Sequence, residues 1–171
     1  MLQSSHYMDE IDTAILNILQ KNNRITNVDL AKQVNLSPPA VHARVKRLEQ
    51  EGYIDGHVAL LNRERAGYDL LCFVQVSLMV HQFDQVRQFR EIVTDLPEVL
   101  ECHHVTGEFD YLLKVALRNR ADLERFVVNE LTPLPGVARI YTSLVLTEVK
   151  LKTQIPLSSQ IGPILSGVND N

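Results

Sequence analysis

The sequence contains no run of eighteen apolar residues, so it predicts no transmembrane helix. The first ten residues, MLQSSHYMDE, also lack the basic start and the apolar core of a secretory signal peptide. Residues 1–7 are therefore expected to be a loose leader, and the protein is expected to lie in the cytoplasm.

Cysteine is scarce, and tryptophan is absent. Cys72 and Cys102 are far apart and do not form a C-x-x-C motif, so the spacing indicates neither a metal site nor a redox pair. The prediction is two buried free thiols in a reducing cytoplasm.

An excess of basic residues is also missing. The chain has 17 lysines and arginines against 21 acidic residues, a net charge of −4. Residues 1–60 carry a net charge of −1 and residues 61–171 one of −3. This balance argues against indiscriminate nucleic-acid binding. Any DNA contact must come from a local patch, and Arg44, Lys46 and Arg47 form the densest one in the first part of the chain.

Catalytic motifs are absent too, because the sequence has no nucleophile–base pair, phosphate-binding loop or set of metal ligands. His103 and His104 are neighbours on a predicted strand, where adjacent side chains point to opposite faces, so they cannot easily ligate one ion. The sequence predicts no catalytic residue, no metal and no other cofactor. A regulatory subunit of a metabolic enzyme stays open as an alternative, since ferredoxin-like domains with effector sites occur in such enzymes.

The first part of the chain predicts three helices, over residues 8–20, 27–34 and 38–51. In the first, isoleucines and leucines recur at helical spacing. Asn35 suits a tight turn between the other two, because asparagine tolerates a left-handed backbone. Ser37 can then cap the third helix, with Pro38 in its first turn. This is the pattern of a helix–turn–helix.

The third predicted helix has two different faces. On a helical wheel Val45 and Leu48 lie within about 40° of Val41, and the three form a core stripe. The other face carries small residues early and basic residues later, which suits a helix that enters the major groove of DNA. A solvated charged face is the alternative. The candidate DNA-binding residues are Ser37, Pro39, Ala40, His42, Ala43, Arg44, Lys46 and Arg47.

A wing is predicted after this helix. Gly52 ends the helix, and residues 57–61 are expected to form a strand. Residues 8–61 would then be a winged helix–turn–helix domain, and the polar residues 62–69 a linker between domains.

The remainder predicts strands and helices in the order β-α-β-β-α-β, a ferredoxin-like arrangement. The strands are expected at 70–80, 99–106, 111–117 and 137–149, and the helices at 84–94 and 122–131. Helices cover one face of such a sheet, so a second copy of the chain is the simplest cover for the other. RNA-recognition domains share this strand order, but their aromatic signature is missing here. Residues 153–171 are expected to be a flexible tail; docking of Ile161, Ile164 and Leu165 on a neighbour is the alternative.

Four motifs occur in a specific order: ID.AIL..LQ.N.RI, NLSPPAVHARVKRLEQEGYIDG, ECHHVTGEFDYLLKV, and LPGV followed by a strand ending in TEVK. On these motifs, residues 8–152 resemble the Lrp/AsnC (feast/famine) family of transcription regulators, especially its leucine-responsive branch. The resemblance implies an α+β fold, with a winged helix–turn–helix and a C-terminal ferredoxin-like (RAM) domain over residues 70–152.

The resemblance also implies dimers that assemble further, commonly into octamers, and a small amino acid bound between dimers near the hairpin of residues 105–110. Backbone N–H groups around Gly107 can bind a carboxylate, and Asp110 can accept from an ammonium group or order the turn. On the residues alone, Gly107 and Asp110 are turn residues. Leu134 and Val145 match positions that line this region in relatives, with plain core residues as the alternative. The candidate effector-binding residues are Val105, Thr106, Gly107, Glu108, Asp110, Leu134 and Val145.

The expected function is sequence-specific regulation of transcription in amino-acid metabolism. The partners are double-stranded DNA, further copies of the chain and an amino-acid effector, for which apolar side chains near the hairpin favour leucine or methionine. Such a protein is expected on the nucleoid. A mainly architectural DNA-wrapping role is the alternative.

Overall fold

The structure, a computed structural model, describes residues 8–79 and 83–158. The chain divides into two compact units. The described residues of Met1–Ala59 and Lys150–Asn171 form the helical unit, and those of Leu60–Val149 form the sheet unit. Among the described residues, no helix is both long and apolar enough to cross a membrane.

The helical unit contains the three predicted helices, α1 (Glu10–Leu19), α2 (Asn27–Val34) and α3 (Pro38–Gln50). The side chains of Asp9, Thr26 and Ser37 cap their N-termini by accepting hydrogen bonds from backbone N–H groups. Between α2 and α3, Asn35 has the left-handed backbone that the turn requires, with φ of 54°. The predicted helix–turn–helix is confirmed.

A small apolar core holds these helices together. Ile15 of α1, Leu30 of α2, and Val41 and Leu48 of α3 are at most 1% exposed, and Val45 packs beside them. The predicted core stripe of α3 is therefore confirmed. Burying each large apolar side chain contributes roughly 1.5–3 kcal/mol.

The predicted strand at residues 57–61 is wrong. The described residues between α3 and β1 form no strand, and Val58, Leu60 and Leu61 are 74–79% exposed. A strand needs a hydrogen-bonded neighbour. Within the described chain none lies beside this segment, so its apolar pattern alone does not produce regular structure.

The sheet unit has the predicted ferredoxin-like order. Its elements are β1 (Leu70–Leu78), α4 (Phe83–Asp95), β2 (Val99–His104), β3 (Tyr111–Leu117), α5 (Arg120–Arg125), which continues as a π-helical segment (Phe126–Leu131), and β4 (Val137–Leu144). The strands form one antiparallel sheet in the order β2-β3-β1-β4.

The two faces of this sheet differ. Alternate residues of β1, such as Val74 and Val76, are fully buried in a core with Phe89 of α4. On the other face of the sheet, Phe73 of β1 is 38% exposed, and Tyr141 of β4, which lies opposite Gln75, is 59% exposed. The sheet therefore has one covered face and one open face.

Several boundaries differ from those predicted. The last strand ends at Leu144 instead of continuing to residue 149. Its neighbour β1 begins at Leu70, and the last backbone hydrogen bond between the two segments runs from Val145 N–H to Leu71 O, so later residues have no strand to pair with. The helix predicted from residue 122 begins at Arg120, since Asn119 caps it.

The prediction of two buried thiols is correct for Cys72 and wrong for Cys102, which is exposed. Cys102 lies on β2, an edge strand of the sheet, and the layer of helices does not cover it.

Residues 145–158 follow β4 without regular secondary structure. In the region predicted to be a tail, residues 154–157 make contacts with α1 that are described below. Ile161, Ile164 and Leu165 lie outside the described residues.

Candidate DNA-binding face and effector hairpin

The outer face of α3 presents most of the candidate DNA-binding residues to solvent. Ser37, Pro39, His42, Ala43 and Lys46 are exposed, and Ala40 is half-buried. The cation of Lys46 makes no ion pair within the described part of the chain, so it is available to a phosphate. The small side chains at the start of the helix leave its backbone approachable.

The other two basic residues of the face, Arg44 and Arg47, point back onto α1. Arg44 Nη1 lies 2.8 Å from Asp12 Oδ1 and 2.7 Å from Asp9 Oδ2, and Arg47 Nη2 lies 2.5 Å from Asp12 Oδ2. Asp12 is 1% exposed, whereas the two arginine side chains are 26% and 32% exposed. A buried carboxylate thus binds two guanidinium groups, and the pairs fix α3 against α1.

The carboxylates of this cluster also begin α1. Asp9 accepts from the Asp12 backbone N–H at 2.7 Å, and Asp12 accepts from the Asp9 N–H at 3.2 Å, which is a capping box. Partial burial acts to raise the pKa of the Asp9 carboxyl, but the Asp12 backbone N–H and the Arg44 guanidinium hold it below its ordinary value. Asp9 is therefore ionised at neutral pH. The sequence placed these acids in the first turn, but it gave no sign that one of them is buried.

The candidate effector hairpin connects β2 to β3. Val105 N–H donates to Asp110 O at 2.9 Å, which closes the hairpin. The Asp110 backbone N–H donates to Val76 O at 3.0 Å, and its carboxylate accepts from the Leu78 N–H at 2.7 Å. Asp110 therefore orders the turn and ties it to the end of β1. This agrees with its interpretation as a turn residue.

The tip of the hairpin is open. Gly107 has a φ of +125°, which residues other than glycine rarely adopt, and beyond its two chain neighbours no described atom lies within 4 Å of where its Cβ would be. Thr106 and Glu108 beside it are exposed. The hairpin backbone at Gly107 is therefore open to solvent.

Two further residues at the hairpin, Arg139 and Phe109, were not among the candidates. Arg139 Nη2 lies 2.9 Å from Glu108 Oε1, and its guanidinium lies 5.0 Å from the centre of the Phe109 ring. Arg139 comes from β4, opposite Ser77 of β1. Sequence reasoning missed it because the contact depends on strand register.

Leu134 and Val145 are not brought together at the hairpin. Leu134 precedes β4 at the hairpin end of the sheet, but it packs against the buried core. Val145 is bonded to Leu71, at the opposite end of β1. The six residue steps from Leu71 to Ser77 correspond to roughly 20 Å along a strand. Within one chain, Val145 is therefore remote from the hairpin.

Comparison with known proteins covers both units. A family model described as "Lrp/AsnC ligand binding domain" matches residues 71–155. A second, described as "Winged helix-turn-helix DNA-binding", matches residues 8–55.

Curated relatives match nearly the whole chain. The leucine-responsive regulatory proteins of Escherichia coli K12 and of Klebsiella pneumoniae are each 41% identical over 153 residues, which is 90% of this chain and 93% of theirs.

Solved structures agree with these matches. A transcriptional regulator from Neisseria meningitidis, solved in complex with L-methionine, has a TM-score of 0.83 at 38% identity and covers 86% of this chain and 96% of its own. The AsnC protein of Escherichia coli has a TM-score of 0.81 at 28% identity, covering 88% of this chain and 100% of its own.

Proposed function

The chain belongs to the Lrp/AsnC family of DNA-binding, amino-acid-responsive transcription regulators, and we propose that it regulates genes of amino-acid metabolism as an oligomer whose assembly or DNA affinity is set by a small amino acid. The observation that carries the proposal is the combination, in one chain, of an exposed α3 face with a ferredoxin-like unit that has an open glycine hairpin.

The DNA contact is proposed to be made by the exposed face of α3. Ala40 and Ala43 allow close approach to the base edges, while Ser37 and Pro39 begin the helix, where its backbone faces the duplex. His42 and Lys46 supply polar and charged contacts. Only Lys46 offers an unpaired cation on this face within the described residues, which agrees with the acidic balance of the chain.

Arg44 and Arg47 are proposed to support DNA binding in two ways. Their pairs with Asp12 hold α3 in place. Each guanidinium carries five N–H donors, and only one nitrogen of each is hydrogen-bonded to a carboxylate. Arg47 Nε is buried, so Arg47 keeps its second Nη group for phosphates, whereas Arg44 keeps both Nε and its second Nη group.

Replacing Lys46 with alanine is expected to weaken binding to all DNA sequences by a similar factor. The slope of log K against log salt should fall by about 1, because one phosphate contact is lost. The measurement is a fluorescence-anisotropy titration at several salt concentrations, with a duplex selected by the wild-type protein.

The matched control is Lys21→Ala, which removes the same charge from an exposed position after α1. It should leave the slope unchanged. An unaltered slope for the Lys46 variant would remove Lys46 from the proposed contacts.

Assembly is proposed to use the open face of the sheet. Phe73 and Tyr141 expose aromatic surface there, and exposed apolar surface of this kind marks interaction sites. A second copy, packed face to face, would cover it, and dimers would assemble further into octamers. Pairing brings two α3 helices together, so that they read a two-fold symmetric site.

The Phe73→Glu protein is expected to have the mass of one chain by light scattering at micromolar concentration, since a carboxylate in an apolar interface is costly. The wild type should have the mass of a dimer or a larger assembly. Val128→Glu is the control, because Val128 is 55% exposed but lies on the π-helical segment. A monomeric wild type would contradict the proposed assembly.

The effector is proposed to bind at the hairpin, where backbone N–H groups near Gly107, with the Arg139 guanidinium, would receive its carboxylate. The structural neighbour solved with L-methionine supports an amino acid of this kind, and leucine or methionine suits the apolar surroundings. Val145 can contribute only from another copy, which fits a site between dimers.

A regulator without enzymatic activity, located on the nucleoid in the cytoplasm, fits these features. A mainly architectural role is the second candidate, because assembly alone places several α3 helices on one DNA. An architectural role predicts that the protein binds DNA with little sequence preference. Selecting bound DNA from a random pool measures that preference.

A further inference from the structure

Residues 154–157, here called the strap, belong to the helical unit although they follow β4 in the chain. The Gln20 side chain, at the end of α1, accepts from the Ile155 N–H at 2.6 Å and donates to the Ile155 carbonyl at 3.1 Å. One primary amide thus satisfies both backbone groups of one residue, as a neighbouring strand would.

Two more contacts anchor the strap. Asn17 Nδ2 donates to the Leu157 carbonyl at 3.4 Å, and the Leu157 side chain is half-buried against the core of the helical unit. Ile155, in contrast, is 66% exposed. Backbone recognition by Gln20 fixes the position of the strap, and Leu157 supplies the apolar anchor.

The strap makes the helical unit discontinuous. The chain leaves this unit after Ala59, forms the sheet unit, and re-enters it at Lys150. The sheet unit is therefore joined covalently to the helical unit at two points. One of them runs from the end of β4 through residues 145–153, which have no regular secondary structure, to the strap on α1.

From α1 the connection continues to the DNA-binding face. Asp12 of α1 binds Arg44 and Arg47 of α3. Packed side chains and ion pairs of this kind can carry coupling between sites, provided that both sites bias the same element.

We propose that the strap couples the sheet unit to the DNA-reading helix: a change at the end of β4 alters the docking of residues 154–157 on α1, and α1 passes it to α3 through Asp12. This rests on the proposed function, because it gives the amino-acid response a route within one chain.

The test compares full-length proteins that differ in the strap. Leu157→Ala removes the apolar anchor, and Gln20→Ala removes the amide clamp. Leu151→Ala is the matched control, because Leu151 lies on the same segment and is 67% exposed. The affinity for a duplex selected by the wild type is measured with and without L-methionine, and again with L-leucine.

For each amino acid, the ratio of the DNA affinity with it to the DNA affinity without it is expected to move toward one in both strap variants. The DNA affinity without amino acid should stay within about threefold of the wild type. Hydrogen exchange at the Ile155 amide should become faster. The Leu151 variant should keep the wild-type ratio and exchange rate.

A strap variant that exchanges faster at Ile155 but keeps the wild-type ratio would overturn the coupling and leave the proposed function intact. A wild type that responds to neither amino acid would refute the proposed effector and the coupling with it.

Discussion

The Asp12→Ala protein is expected to lose about 3 kcal/mol of stability in its helical unit and to melt roughly ten degrees or more below the wild type. Asp12 is 1% exposed and accepts from two arginines and from the Asp9 N–H. Its removal leaves Arg44 and Arg47 without their shared carboxylate. The loss lies at the lower end for a broken buried pair, because both arginines are partly exposed and can turn toward water.

DNA affinity should fall with stability, since α3 is no longer fixed against α1. This loss of DNA affinity has a different cause from the loss expected for Lys46→Ala. Truncating Asp12 removes no phosphate contact, so the salt slope of the remaining binding should not decrease.

The control for this prediction is Glu10→Ala. Glu10 is an exposed acid in the same turn of α1, and it contributes mainly through the helix dipole, about 0.3–1 kcal/mol. Thermal melts followed by circular dichroism measure both variants. An Asp12 variant that is as stable as the Glu10 variant would contradict the structural role of the buried carboxylate.

The second large effect is expected at Gly107. A Gly107→Ala protein should lose the rise in melting temperature that an amino acid produces in the wild type. With a φ of +125°, an alanine at this position costs of order 1–3 kcal/mol, so the hairpin changes its backbone and no longer presents the same N–H groups. A thermal-shift panel of the twenty amino acids measures the response.

Gly67→Ala separates this effect from strain in general. Gly67 also has a positive φ, +86°, and space for a Cβ, but it lies in the turn before β1. This variant should be destabilised and still respond. A Gly107 variant that responds like the wild type would exclude the hairpin backbone from the site, and a wild type without any response would count against an amino-acid effector.

Local features of the fold were accessible from the sequence because they depend on neighbouring residues. Asn35 and Ser37 act within one turn, and the stripe of Val41, Val45 and Leu48 follows helical periodicity. The alternation of strands and helices, together with the motifs, was sufficient for the ferredoxin-like unit.

The features that were missed depend on residues distant in sequence. The pairing of Asp12 with Arg47 spans 35 positions, and no periodicity encodes it. Arg139 meets Glu108 only because β1 lies between β3 and β4 in a particular register. Residues 57–61 carry a strand-like pattern, but a strand also requires a neighbour that the described chain does not provide.

The docking of residues 154–157 on α1 has a consequence for biosynthesis. Asn17 and Leu157 are 140 positions apart, and the whole sheet unit is translated between them. At roughly 5–20 residues per second, the ribosome needs on the order of ten seconds to cross this interval. For most of that time the three helices have been synthesised, but the strap that covers the surface around Gln20 has not. The helical unit can thus be completed only after the sheet unit has been synthesised.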